Sequence, residues 1–243
     1  MKLTDELKRE LIEIAQKEYP NEMCGIITEI DGKDCFVQCE NISDEPTELF
    51  EIDGNVWLDY DIKAIVHSHT NGRNYLSKYD MRNQKIHDID WILVCGKQVI
   101  SYRPIAPLLG RPFEFNKQDC YNLFRDCYML AGSDHLPEFE YPENWYEIGM
   151  NLYADRLPEY GFEKVNEPEL GDVILFQIGS ELPNHAGIYI GQQLFIHHLT
   201  DRLSKRDIYG GYWQKYTHSI WRYKCKSQLN FMAILENLAM TSS

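Results

Sequence analysis

The chain of 243 residues has no Cys-x-x-Cys pair, and its seven cysteines are an odd number. That argues against a disulfide framework and a structural zinc knuckle. Cys35 and Cys39 lie close in sequence, but no second pair is spaced to help them hold a metal. Basic charge is also scarce: 24 Lys and Arg stand against 38 Asp and Glu, a net charge of −14. Binding to nucleic acid, which needs a basic face, is not expected. No stretch approaches the roughly 18–20 apolar residues of a membrane-spanning helix. The first residues, Met1-Lys-Leu-Thr-Asp-Glu-Leu, lack the apolar core of a signal peptide. The expectation is a chain made in a cytoplasm, without a signal peptide, that reaches any other compartment inside an assembly.

What is present is 44% hydrophobic and 13% aromatic, enough for sizeable cores. Leu3, Leu7, Leu11, Ile14 and Ala15 form a helical stripe, started by Thr4 or Asp5 and ended by Pro20. Residues 23–30 read as a strand with Asp31-Gly32 as its turn, and 62–68 as a buried strand ending at histidines. Ser77 caps a short helix, and two hairpin-paired strands follow over 90–94 and 98–102. Alternating helices and apolar strands predict a mixed α/β layer domain. Residues 104–117 carry three prolines and a glycine and read as a linker. Beyond it, the pattern predicts helices over 119–131 and 145–157, then strands over 171–178, 185–190 and 194–199, an α+β arrangement. The expected division is 1–103, linker 104–117, 118–225, and a tail of 226–243 that forms a terminal helix.

Two groups of residues carry chemistry. His67 and His69 are two apart at a strand end, so their side chains leave one face. Imidazole nitrogens ligate zinc, and the Asp80 carboxylate supplies a third ligand. Three protein ligands leave a position open, the layout of a catalytic site. Glu22 is available as general base. His-x-His alone is common in cores and on surfaces. The longer string His67-Ser68-His69-Thr70, then Ser77-Lys78-Tyr79-Asp80, with Glu22-Met23-Cys24-Gly25-Ile26 upstream, resembles the JAMM/MPN metalloproteases over residues 1–103. The resemblance implies one zinc ion on His67, His69 and Asp80, Glu22 as base, and Ser77 as hydrogen-bond donor to the tetrahedral oxyanion. Thr70 stands where that family usually has proline, which alters loop stiffness and not the ligand set.

In the second group, Cys120 opens a helix after Asp119. A helix N-terminus and a nearby histidine both lower a thiol pKa. His185 opens a strand whose hairpin partner carries His197 and His198, which face opposite sides, so one of them orients His185. A cysteine in this position is also an ordinary core thiol in many helices. Asp119-Cys120, Gly171-Asp172-Val173-Ile174-Leu175-Phe176, His185-Ala-Gly-Ile-Tyr-Ile-Gly191 and Phe195-Ile196-His197 together resemble the NlpC-type cysteine peptidases. That resemblance covers about 112–225. It implies a papain-like fold, Cys120 as nucleophile, His185 as base, His197 as the orienting residue, and amide bonds of peptidoglycan stem peptides as substrate.

The order of the two types in one chain resembles the tail assembly proteins of lambda-like bacteriophages. It implies a tail-tip component with other tail-tip proteins as partners, cutting peptidoglycan during genome entry. Two readings stand beside it: a structural tail-tip component with inactive sites, and a host- or prophage-encoded cell-wall peptidase.

Overall fold

The computed structural model describes residues 1–240 and divides into two compact units, with the boundary between Ile105 and Ala106. In the first unit, helix α1 (Asp5–Glu18) starts where Thr4 Oγ accepts a hydrogen bond from the Leu7 N–H at 3.2 Å. Strands β1 (Cys24–Ile30) and β2 (Lys33–Cys39) form a hairpin. Its turn places Asp31 and Gly32 at φ 52° and 74°, the left-handed pair that matches strand twist. A short helix α2 (Val56–Asp59) precedes strand β3 (Ile62–Ser68), helix α3 (Lys78–His87), and strands β4 (Asp90–Cys95) and β5 (Gln98–Tyr102). The sheet order is β2-β1-β3-β4-β5. Only β3 and β4 are parallel, and α3 is their crossover. The strands are buried because Ala64, Val66, Ile92 and Val94 pack with Leu7, Leu11 and Met23 into one core. Full burial of such a side chain contributes about 1.5–3 kcal/mol. A crossover brings the start of α3 to the C-terminal end of β3, where parallel strands leave room for a site.

The second unit begins with the segment read as a linker, whose residues 106–117 are packed and not free. The Leu108 N–H donates to Asn237 Oδ1 at 2.9 Å, and the Arg111 N–H to Ser204 Oγ at 2.9 Å. The buried Arg111 guanidinium pairs with Asp126 at 2.6 Å. Helix α4 (Cys120–Leu130) follows, and then α5 (Leu152–Arg156), which is five residues long. The helix expected over 145–157 does not form as such, because Gly149 sits at φ 82° and turns the chain.

The sheet comprises β6 (Phe162–Val165), β7 (Val173–Phe176), β8 (His185–Gly191), β9 (Leu194–His197), β10 (Lys205–Ile208) and, after a short helix α6 (Tyr212–Lys215), β11 (Thr217–Tyr223). Its order is β10-β9-β8-β7-β11-β6, antiparallel throughout. Strands β6, β10 and β11 are additions to what the sequence predicts. Helix α4 packs on β8, and helix α7 (Met232–Ala239), within the expected tail, packs on α4. The last three residues of that tail lie outside the described residues. Strands β8 and β9 approach closely at Gly187: a Cβ there would lie 2.6 Å from the Phe195 ring and 3.0 Å from the Ile196 carbonyl. No helix among the described residues is long and apolar enough to cross a membrane.

Candidate metal centre and candidate thiol site

His67 is the penultimate residue of β3 and is fully buried. Its ring stacks on Phe50 with centroids 4.6 Å apart and meets the Trp91 ring edge-on. Two residues on, His69 turns its Nε2 to 3.1 Å from the Nε2 of His67. The Nδ1–H of His69 donates to the Arg73 carbonyl at 2.7 Å, which leaves its Nε2 as a lone pair. Asp80 comes from the first turn of α3. Its Oδ2 lies 3.3 Å from His69 Nε2 and 3.7 Å from His67 Nε2. A capping box fixes the carboxylate: Ser77 N–H donates to Asp80 Oδ2 at 2.7 Å, and Asp80 N–H donates to Ser77 Oγ at 3.2 Å. Ser77 thereby fixes the Asp80 carboxylate and retains its own hydroxyl hydrogen.

The three donor atoms lie within 4.8 Å of one another, so the cluster can hold a metal ion. Two features of the protein fit that role. Burial raises the Asp80 pKa, but the adjoining imidazoles outweigh this and hold the carboxyl well below its usual range. Glu22, just before β1 and 3% exposed, has a buried Oε1 with no hydrogen-bond partner. Its pKa is pushed up to about 7, mainly by burial, with His69 opposing the rise and Asp80 and Glu48 adding to it. Such a carboxyl is matched to moving a proton at neutral pH.

In the second unit, Cys120 is the first residue of α4. Asp119 caps the helix: its Oδ1 accepts from the Asn122 N–H at 2.9 Å, and its Oδ2 from the Tyr141 hydroxyl at 2.8 Å. The Tyr153 hydroxyl lies 3.0 Å from Cys120 Sγ. The helix end is not the dominant influence on the thiol. Burial dominates, Asp119 adds to it, and the thiol is pushed up to about 11. The Tyr153 hydroxyl and the backbone amides of Ala186 and Cys120 only partly oppose this. Burial thus favours the neutral thiol over the thiolate.

His185 and His197 come together across β8 and β9, with His185 Nε2 3.0 Å from His197 Nδ1. His197 Nε2 lies 3.2 Å from Asp207 Oδ2 on β10. Both imidazoles are buried and neutral: burial lowers His185 well below its ordinary value and His197 to about 4, although Asp207 acts in the opposite sense on His197. His198 borders the same cavity as Cys120 and His185, but its Nε2–H donates to the Arg202 carbonyl at 3.1 Å. Cys120 and His185 face one cavity of about 220 Å³, bordered also by Phe113, Asp119, Trp145 and Ile178. Among the described residues, Cys120 Sγ is hydrogen-bonded to Tyr153 and not to His185.

Tyr153 and Asp207 were not foreseen. Tyr153 reaches Cys120 from a short helix 33 residues on. Asp207 lies in Lys205-Arg206-Asp207-Ile208, a polar run with no apolar alternation to mark a strand.

Residues 4–104 match the family model of prokaryotic homologs of the JAB domain, and residues 110–222 match that of the NlpC/P60 family. Tail tip assembly protein K of Escherichia phage lambda is 41% identical over 75% of this chain and 92% of its own length. Tail tip assembly protein K of Escherichia phage N15 is 33% identical over 86% of this chain and 91% of its own. A solved NlpC/P60 family protein from Bacillus cereus aligns with 87% of this chain and 66% of its own at 11% identity, with a TM-score of 0.34, too low to support a common fold. The two family matches, in this order along one chain, and the extent of both phage relatives lead to one conclusion: the chain belongs to the tail tip assembly protein K family.

Proposed function

We propose that the second unit is a cysteine peptidase that hydrolyses stem-peptide amides of peptidoglycan, working from a phage tail tip as the genome enters the host. The observation that carries this reading is that Cys120 and His185 border one cavity while His185 is held from behind by His197. A substrate amide entering the cavity is attacked by Sγ at its carbonyl carbon while His185 accepts the thiol proton. The backbone N–H of Cys120 stabilises the resulting oxyanion. His185 returns the proton to the leaving amine, and water then releases the acyl group from sulfur. Burial raises the thiol pKa and lowers that of His185, which favours transfer of the proton to His185 as the sulfur attacks.

The first unit, in this reading, is a zinc-dependent peptidase that processes a tail protein. His67, His69 and Asp80 would hold the ion, and zinc when bound lowers the pKa of water from 15.7 to roughly 7. Glu22 takes and returns a proton. Ser77 donates a hydrogen bond to the reacting oxygen.

The experiment is mass spectrometry of purified muropeptides after incubation in reducing buffer with the wild type and with Cys120→Ala. Cleavage of one stem-peptide amide by the wild type alone is the expected result. Cleavage by both removes the nucleophile assignment. Cleavage by neither, with folded protein, leaves a structural tail-tip component.

A further inference from the structure

We infer that Asp207 is a positioning residue that sets the proton arrangement of both imidazoles and so leaves unprotonated the nitrogen of His185 that is not bound to His197, on a ring that borders the same cavity as Cys120. The inference rests on reading Cys120 and His185 as thiol and base. An ionised carboxylate only accepts hydrogen bonds. Burial raises the Asp207 pKa, but Lys205 at 2.8 Å and His197 outweigh it, so the carboxyl is ionised at neutral pH. His197 Nε2, 3.2 Å away, must therefore carry the proton and donate it to Asp207 Oδ2. Because the ring is neutral, its Nδ1 is then a lone pair. That lone pair stands 3.0 Å from His185 Nε2, which must in turn carry a proton and donate. His185 is also neutral, so its remaining nitrogen, Nδ1, is left unprotonated. One carboxylate thus fixes two tautomers in series, and the second leaves an imidazole ready to accept the Cys120 proton.

The reverse arrangement shows why the carboxylate matters. With a donor at 207, His197 would accept at Nε2 and carry its proton on Nδ1. His185 Nε2 would then have to accept, and its Nδ1 would carry a proton that blocks transfer from the thiol. The sheet supports the assignment: β10 pairs with β9 so that Lys205 lies opposite His197 and Asp207 opposite Phe195. By alternation, residues 195, 197, 205 and 207 present one face. Lys205, half exposed, pairs with the carboxylate at 2.8 Å, and its charge also helps keep His197 neutral.

The test uses the full chain labelled with 15N-histidine and long-range 1H–15N correlation spectra near pH 7.5. In the wild type, both His185 and His197 are expected to show protonated Nε2 and unprotonated Nδ1. Asp207→Asn, whose amide can also donate, is expected to shift a measurable fraction of both rings to protonated Nδ1, and Asp207→Glu to restore the wild-type pattern. Muropeptide cleavage by Asp207→Asn is expected to lose roughly 10–100-fold in kcat, with KM within about twofold. A wild-type His185 protonated on Nδ1, or tautomers unchanged in Asp207→Asn, would overturn the inference. Expected tautomers in a wild type that cleaves no muropeptide would support the proton arrangement and remove the peptidase reading instead.

Discussion

The thiol state of Cys120 decides how its reactivity depends on pH. Its pKa of about 11 is set by burial and by Asp119, whereas the Tyr153 hydroxyl pulls it down. Alkylation by iodoacetamide, followed at the Cys120 peptide by mass spectrometry, should rise about tenfold per pH unit and level off near pH 11. A plateau near pH 7 would show a preformed ion pair. Tyr153→Phe removes a donor to the charged form and should slow alkylation at pH 8 by about tenfold, since a hydrogen bond to a charged group contributes about 1.5–3 kcal/mol. The linkage has a definite sign. The folded pKa lies above the ordinary 9.0, so the stabilisation is complete below pH 9 and is lost as pH climbs through about 11. At the metal cluster, His67→Ala should lower bound zinc in equilibrium dialysis. Glu22→Gln should leave zinc content unchanged and abolish any activity of the first unit; loss of metal would make Glu22 a ligand.

Among the elements, the β8–β9 pair sets the tolerance of the thiol site. Gly187 lies opposite His197 in register, and the Phe195 ring occupies the space a side chain would need. Gly187→Ala should cost about 1–3 kcal/mol through overpacking, read as a lower urea midpoint, and should part His185 from His197. The same elements show what local sequence reveals. Ser77-Lys-Tyr-Asp80 encodes its own capping box, and Ala64-Ile-Val reads as a buried strand in any context, so the arrangement around His67, His69 and Asp80 is largely written in short stretches. Strand β10 is different: Lys205-Arg-Asp-Ile is mostly exposed, and its place is set by pairing with β9, a tertiary contact. Asp207 was hidden for that reason. The helix expected over 145–157 failed locally, at a glycine in a left-handed conformation that apolar spacing alone passes over.

For the whole molecule, each unit holds its own candidate site and its own core, and both family matches respect the boundary. Chelation with EDTA should therefore act on one unit. If zinc binds the His67 cluster, calorimetry should show one of two transitions move to lower temperature on metal removal, by RT ln(1 + [Zn]/Kd) in free energy. The alkylation rate of Cys120 should stay the same. Movement of both transitions, or a changed rate at Cys120, would show that the sites are linked.

The hydrogen bond from Leu108 to Asn237 spans 129 residues and brings the entry and exit of the second unit side by side. Topologically, that unit is almost a closed ring. Joining its two ends with a short peptide and reopening the chain at Gln192-Gln193, a tight turn with φ of 53° and 58°, should give a circular permutant that folds. The orienting His197 would then precede the nucleophile in sequence, with His185 still following it, while the site stayed intact in space.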